Sequence, residues 1–315
     1  MEEEWKMEMR TIFSQEIDKL MQDNARVCVV NADLAGAHDN FWIQDKYPER
    51  AFNVGVCEQN MASLAGGMSA YGMIPFIYGF ASFSGRRMLD QVAVSICHPR
   101  LNVKIVGSDP GISATILGAT HSAMDDMGAL RSIADMVIYE AVDETQLRQA
   151  IPQIAAYDGA VYIRVIRKEA KDIFDENYHF DLFRADVIQE GSDVTLLATG
   201  IMVAEALEAA RLLEEEGIHA EVINVHTIKP IDEETVLHSL RKTGCGVTCE
   251  NHNVLGGLHS AVADVVTQAY PVPLKAIGVQ DRFSEVGPLN YLKKLFHLTP
   301  EDIVEAAKES MKMKK

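Results

Sequence analysis

The feature that most restricts the fold is a recurrence of short apolar runs rich in valine and isoleucine. RVCVVNAD (26–33), AFNVGV (51–56), IPFIYGF (74–80), LNVKIVG (101–107), DMVIYEA (135–141) and AVYIRVI (160–166) are strand-length. Continuous apolar runs of this kind suit strands buried on both faces of a parallel sheet. Segments with helical spacing, 58–71, 83–97, 125–134 and 143–156, lie between several of them. The alternation predicts an α/β fold. A charged, aliphatic-poor stretch, KEAKDIFDENYHFDL (168–182), reads as a linker. A second set of strands follows, DVTLLATG (193–200), AEVINVH (220–226), CGVTCE (245–250) and LKAIGV (274–279), with helices through 216 and near 232–242, 258–270 and 288–296. The expected organisation is two three-layer α/β domains, 1–170 and 187–315, joined by a linker over 171–186. The halves share no sequence repeat, and KESMKMKK at the end predicts a basic, fraying helix terminus.

Charge narrows the function classes. With 29 basic and 46 acidic residues, 29 − 46 gives −17, and such a surface repels phosphate backbones. Nucleic acid is not an expected partner, although local arginines can still hold a small anion. No apolar run approaches the ~20 residues of a membrane span. The start, MEEEWKMEMR, lacks a basic and apolar leader, so the expected location is cytoplasmic and no membrane is expected as a partner. Cys28 and Cys97 sit in apolar runs and read as core residues. Cys245 and Cys249 lie four apart in a strand-like segment, and no second Cys/His pair completes a zinc site. No metal ligand is assigned within the chain.

One stretch carries chemistry. In FNVGVCEQNMASLAGGMSAYG (52–72) an apolar run ends and Glu58 opens a helix. An acidic residue in a first helical turn is favoured by the dipole alone. Met61, Leu64, Ala65 and Met68 form one stripe, so the helix is expected to pack inward, and AGG at 65–67 permits close backbone approach. The helix start then lies at the C-terminal edge of a parallel sheet, where open α/β folds place ligands. GFASFSGRRMLDQ (79–91) adds Phe80, Phe83, Arg86 and Arg87 at the next strand end. A carboxylate facing two aromatic rings suits a flat, basic heterocycle; the two phenylalanines by themselves suit ordinary core packing equally well.

These segments, with VNADL (30–34), GATHSAMDDMGALRSI (118–133) and VYIRVIR (161–167), resemble the pyrimidine-binding domain of transketolases and related thiamine diphosphate enzymes. INVHTIKPID (223–232) and VTCENHNVLGGLHSAVADVV (247–266) resemble the transketolase C-terminal domain. The whole is similar to the C-terminal half of a transketolase encoded as a separate subunit. The resemblance implies two-carbon ketol transfer between a ketose and an aldose. It makes Glu58 the carboxylate that meets the aminopyrimidine ring and drives its tautomerisation, a role suited to a shielded, apolar-walled site. It places Leu34 and Val56 in the apolar pocket, Phe80 and Phe83 on the ring wall, Asp33 near the subunit contact, and Arg87 among the cofactor residues. Arg10 and Arg167 take the positions of anion-binding arginines, whose forks suit oxyanions; both could equally be solvated surface charges. His121 takes an active-site position with proton-transfer or hydroxyl-binding duties.

The family holds the diphosphate and Mg²⁺ with a GDG motif, and this chain contains none. The resemblance therefore implies a partner subunit that carries the diphosphate domain and ligates Mg²⁺, with thiamine diphosphate at the interface of an α2β2 heterotetramer. Three positions depart from the family: Ala37 replaces a serine, Asp109 a phosphate-contacting histidine, and Leu117 an aspartate that reads a donor hydroxyl. Pentose phosphates are accordingly not the expected best pair, and a branched, deoxy or sulfonated sugar acceptor is expected instead. Two alternatives stay open here: a β-type subunit of a 2-oxo acid dehydrogenase, and a non-catalytic partner subunit. His226, His252 and His259 have no evident partner set and read as structural.

Overall fold

The computed structural model describes residues 6–314, so residues 1–5 of the acidic start and Lys315 lie outside the described residues. Each long Val/Ile run forms a strand where expected. β1 (Val27–Asn31), β2 (Ala51–Asn53), β3 (Ile74–Phe80), β4 (Lys104–Ser108), β5 (Val137–Glu140) and β6 (Val161–Val165) belong to one sheet. All six are mutually parallel where they pair. Except for the short edge strand β2, every residue in them is buried, as strands covered on both faces require.

The second half contributes β7 (Asp186–Gln189), β8 (Val194–Ala198), β9 (Ala220–Asn224), β10 (Thr227–Lys229), β11 (Gly246–Asn253) and β12 (Leu274–Val279). Its sheet runs β12-β11-β8-β9-β7, with only β7 antiparallel. β10 leaves this unit and pairs antiparallel with β5, so the first sheet reads β10-β5-β6-β4-β3-β1-β2. The first sheet is thus not purely parallel, and chain from the second half closes its edge.

Two elements differ from the expected organisation. The helix Met9–Asp23 buries Met9, Ile12, Phe13, Ile17 and Met21 against the first sheet and the helix Glu144–Ala156. Each such side chain contributes about 1.5–3 kcal/mol of burial. The stretch expected as one helix over 83–97 is broken into Ala81–Arg86, Leu89–Gln91 and a wide-turned segment Val92–Cys97. The helix Glu58–Ala70 lies against that segment through Met61, Ala62, Ala65 and Gly66. A Cβ on Gly66 would stand 2.5 Å from the Ser95 carbonyl oxygen. Leu64, expected on the inward stripe, is 41% exposed instead, because the helix docks on its small-residue face.

The segment between the sheets is apolar enough to pack. Phe180 and Leu182 are buried, Phe174 stacks on Tyr178 at 3.8 Å, and the Asp143 carboxylate accepts from the Ile173 and Phe174 N–H groups at 2.8 Å.

A buried ion cluster joins the two halves. Arg164 on β6 donates from Nε to Asp126 Oδ2 at 2.8 Å, and its Nη1 stands 2.7 Å from Glu140 Oε2. Tyr162 donates to the same Asp126 oxygen at 2.7 Å, and Thr199 of the second half donates to Glu140 at 3.1 Å. Arg164 Nη2 also reaches the Asn251 carbonyl at 3.1 Å. Beside it His252 donates from Nδ1 to the Asn253 carbonyl at 2.6 Å, while its Nε2 accepts from the Gly128 N–H at 3.4 Å. Burial pushes the His252 imidazole down to about 4.

Two outcomes follow. Arg164→Met strands two buried carboxylates and should cost about 3–5 kcal/mol in urea unfolding. His252 takes up a proton near its ordinary value of about 6.5 when unfolded but only near about 4 when folded. Stability from its neutral form is therefore present above pH ~6.5 and lost as pH falls toward ~4, at up to about 1.4 kcal/mol per pH unit. The stability difference between the native chain and His252→Gln should shrink over that window with this slope.

Candidate active site

The C-terminal ends of β1, β2, β3, β4 and β6 lie along one edge of the first sheet. Each delivers a residue singled out by sequence. Glu58 opens its helix five residues after β2 and is 2% exposed. Its Oε2 is buried and has no hydrogen-bond partner. The nearest cation, Arg87 Nη1, is 3.7 Å away on a side chain 52% exposed to solvent. A buried carboxylate oxygen left in that state costs about 1–3 kcal/mol or more, so a fold optimised for stability alone would not retain it.

An aromatic wall stands close by. Phe80 and Phe83 are edge-on at 6.1 Å, and the His121 ring meets them at 5.3 and 5.2 Å. Arg87 lies over the Phe83 ring at 4.9 Å and Arg167 over Phe80 at 5.0 Å, both in cation–π range. His121 Nδ1 is 2.9 Å from Thr120 Oγ1. The structure therefore gathers Glu58, Phe80, Phe83, Arg87, His121 and Arg167 into one region.

Arg10 and Arg167 meet through their backbones, Arg10 N–H donating to the Arg167 carbonyl at 3.3 Å. Each guanidinium is partly engaged. Arg10 Nε pairs with Glu8 at 2.5 Å and its Nη1 donates to the Ala37 carbonyl at 3.2 Å. Arg167 donates from Nε to Asp109 Oδ2 at 2.6 Å and from its backbone to Oδ1 at 3.0 Å. Among the described residues the terminal nitrogens of Arg167 have no hydrogen-bond partner. The Asp109 seen in sequence only as a departure is thus the carboxylate that orients Arg167.

Other expected residues sit at the surface of this region. Asp33 is exposed, in the left-handed region at φ 61°, and exchanges hydrogen bonds with Asn53 at 3.0 and 3.1 Å. Leu34 is half-buried, and Val56 is 72% exposed. Leu117 lies exposed in the loop that leads to His121. Beside the wall runs a groove of about 480 Å³, lined by Phe83, Arg86, Arg87, Ala119, Thr120 and, from the second half, Phe283.

Sequence reasoning missed His38. It is buried, edge-on to Tyr78 at 5.0 Å, with Nε2 3.5 Å from Ser108 Oγ. Burial first, then the charges of Arg167 and Arg10, push it down to about 3, so it stays neutral. Nothing in LAGAHDN marks it as interior. His226 and His259, read as structural, hydrogen-bond to the Arg184 carbonyl at 2.7 Å and to Thr248 at 3.1 Å. Among the described residues no group of three or more His, Cys, Asp or Glu is placed to hold a metal ion, and no helix is long and apolar enough to cross a membrane.

Comparison with known proteins places this geometry. Residues 5–172 match the transketolase pyrimidine binding domain and residues 184–303 the transketolase C-terminal domain. A 6-deoxy-6-sulfo-D-fructose transketolase subunit of Clostridium sp. is 49% identical over 98% of this chain and 95% of its own. An apulose-4-phosphate transketolase subunit of Actinobacillus succinogenes is 32% identical over 83% of this chain and 85% of its own. A solved split-gene transketolase, described as an inactive beta4 tetramer, superposes with a TM-score of 0.89 at 37% identity, covering 99% of this chain and all of that one.

Because the buried Glu58 Oε2 has no hydrogen-bond partner, Glu58→Gln should leave the isolated chain as stable as the parent or more so, by up to about 1–3 kcal/mol. Urea midpoints of the two chains check this.

Proposed function

The chain belongs to the transketolase family, as one subunit of a split, thiamine diphosphate-dependent enzyme, and from that premise we propose what its residues do. Membership favours ketol transfer over the 2-oxo acid dehydrogenase reading left open by sequence. The single observation that carries the site assignment is Glu58, a buried carboxylate with an unpartnered oxygen at a strand edge beside a phenylalanine wall. That oxygen fits a ring N–H or a protonated ring nitrogen, which would relieve its lost hydrogen bond. The residues present therefore suit the aminopyrimidine end of thiamine diphosphate. When bound, that cofactor supplies the nucleophilic carbon that carries a two-carbon unit from ketose to aldose.

Glu58 holds the proton shared with the ring nitrogen, and its shielding from water keeps that exchange local. Phe80 and Phe83 offer the ring an apolar face, with Arg87 holding the outer side of Phe83 and facing Glu58. Leu34 extends that face, and Asp33 and the exposed Val56 meet a second polypeptide. His121 exchanges protons with substrate oxygens. The partner subunit carries the diphosphate domain and Mg²⁺, and two copies of each chain assemble. The chain therefore acts as two units, 1–170 and 187–315, of which the first bears the chemistry.

Arg10 and Arg167 hold the anionic end of the sugar. A phosphate monoester carries about −1.5 to −2 charges at neutral pH, whereas a sulfonate carries one. Asp109 beside Arg167 and Glu8 beside Arg10 offset part of the positive charge, which penalises the dianion more. The name of the 49% identical relative agrees with this choice. The proposed donor is a 6-deoxy-6-sulfo ketose.

With the partner subunit, thiamine diphosphate and Mg²⁺ present, Glu58→Gln should lose about 10²–10⁴ in kcat, while the chain without its partner should give no product. In a donor panel the sulfonated ketose should show the highest kcat/KM. An active Glu58→Gln complex would overturn the site assignment. A preference for xylulose 5-phosphate with ribose 5-phosphate would overturn the sulfonate reading.

A further inference from the structure

The loop from Asp109 to His121 has an anion-orienting carboxylate at one end and the candidate proton-transfer histidine at the other. Two of its non-glycine residues lie at positive φ: Asp109 at 52° and the β-branched Thr115 at φ 49°, ψ −110°. A β-branched residue at positive φ is an outlier, and such conformations persist only where neighbours over-determine them. The neighbour here belongs to the second half. Asn251 on β11 is completely buried, and its Oδ1 accepts from the Ile112 N–H at 2.8 Å. Its Nδ2 donates both to the Pro110 carbonyl at 2.8 Å and to Ser113 Oγ at 3.1 Å.

Three successive stations of the loop are thus held by one amide, which uses both donors and one acceptor. The fit leaves no slack. A Cβ on Gly111 would stand 2.1 Å from Asn251 Oδ1. Asn251 is itself fixed, its carbonyl accepting from Arg164 Nη2 at 3.1 Å. The return of the loop is tied as well, Gly111 N–H donating to the Ala123 carbonyl and Asn253 N–H to that of Met124, both at 2.9 Å.

We propose that Asn251 is a positioning residue for ketol transfer: the second domain, through this one amide, sets the loop that places His121 and the Asp109–Arg167 pair at the substrate. This rests on the substrate roles given above to His121 and Arg167. The ring pocket of Glu58, Phe80 and Phe83 is built on β2, β3 and the helices that follow them, and none of the hydrogen bonds of Asn251 goes to these residues. Loss of the amide should therefore separate substrate handling from cofactor binding, which general destabilisation would not do.

The test uses the complex with the partner subunit. Asn251→Ala should lower kcat/KM for the ketose by about 10- to 100-fold, the scale of a misplacement near 1 Å, with thiamine diphosphate affinity unchanged. Hydrogen exchange should rise within residues 110–122 and not elsewhere. Asn251→Ser, too short to span the three partners but still polar, should behave alike if the alanine variant does not fold. Parental kcat/KM with unchanged exchange in 110–122 would overturn the proposal. So would a parallel loss of cofactor affinity and turnover with exchange raised throughout. Exchange is read without substrate, so it reports on the clamp independently. Activity retained by Glu58→Gln would instead sink the catalytic reading beneath it.

Discussion

The structure depends on one buried cation. Arg164 sits with no solvent exposure between Asp126 and Glu140, and each of these carboxylates is shared with a hydroxyl group. A guanidinium in that environment is tolerable only because both counter-charges and further acceptors surround it. The arrangement draws residues 126, 140, 164, 199 and 251 to one point. It therefore aligns the first sheet, the helix Asp126–Arg131 and β11 with one another. Arg167, three residues further along the same chain, reaches the site edge. One stretch of polypeptide thus welds the halves and equips the site.

Around this weld the site keeps features that a fold selected for stability alone would discard. Glu58 buries a carboxylate oxygen without a partner, and the loops at 33–39 and 109–115 hold non-glycine residues at positive φ. Such costs concentrate where function requires preorganised groups. They are supported by rigid surroundings: the Met9–Asp23 helix holds the first loop through Arg10, Thr11 and Ser14, and Asn251 holds the second. Exposed apolar side chains precede two of the site residues in the chain, Val56 before Glu58 and Ile116 and Leu117 before His121. Phe283 and Val286 of the second half are exposed as well, Phe283 beside Phe83 and Val286 beside Gly118. Surfaces of this kind are characteristic of interaction sites.

Several features were legible along the chain because they are local. Strand-length Val/Ile runs announce buried parallel strands; β1, β3, β5 and β6 fall inside the stretches expected, and β4 runs one residue past its own. The start of a helix at Glu58, the pairing of Phe80 with Phe83, and the motif around His121 depend on spacing within a few residues. The family resemblance was carried by the same contiguous segments. The Met9–Asp23 helix could also have been found, since Met9, Ile12, Phe13 and Ile17 recur at helical spacing.

Tertiary structure decided the rest, because it concerns which distant residues meet. Nothing near Asp109 indicates that it orients Arg167, 58 positions away. HTIKP gives no sign that Thr227–Lys229 leaves its own unit to pair with β5. Leu64 left its expected inward place because the partner of that helix was the close-lying Ser95 backbone, which Gly66 approaches and which favours a small face over an apolar one. NHN at 251–253 reads as an ordinary strand end, yet its first residue secures a loop 138 to 141 positions earlier in the chain. The sequence by itself determined the kinds of elements and the chemical groups available, since these follow from composition and short-range period. Which groups share the site was decided only by long-range packing, which brought Asp109 to Arg167 and Asn251 to the 110–113 loop and left the buried Glu58 Oε2 without a hydrogen-bond partner.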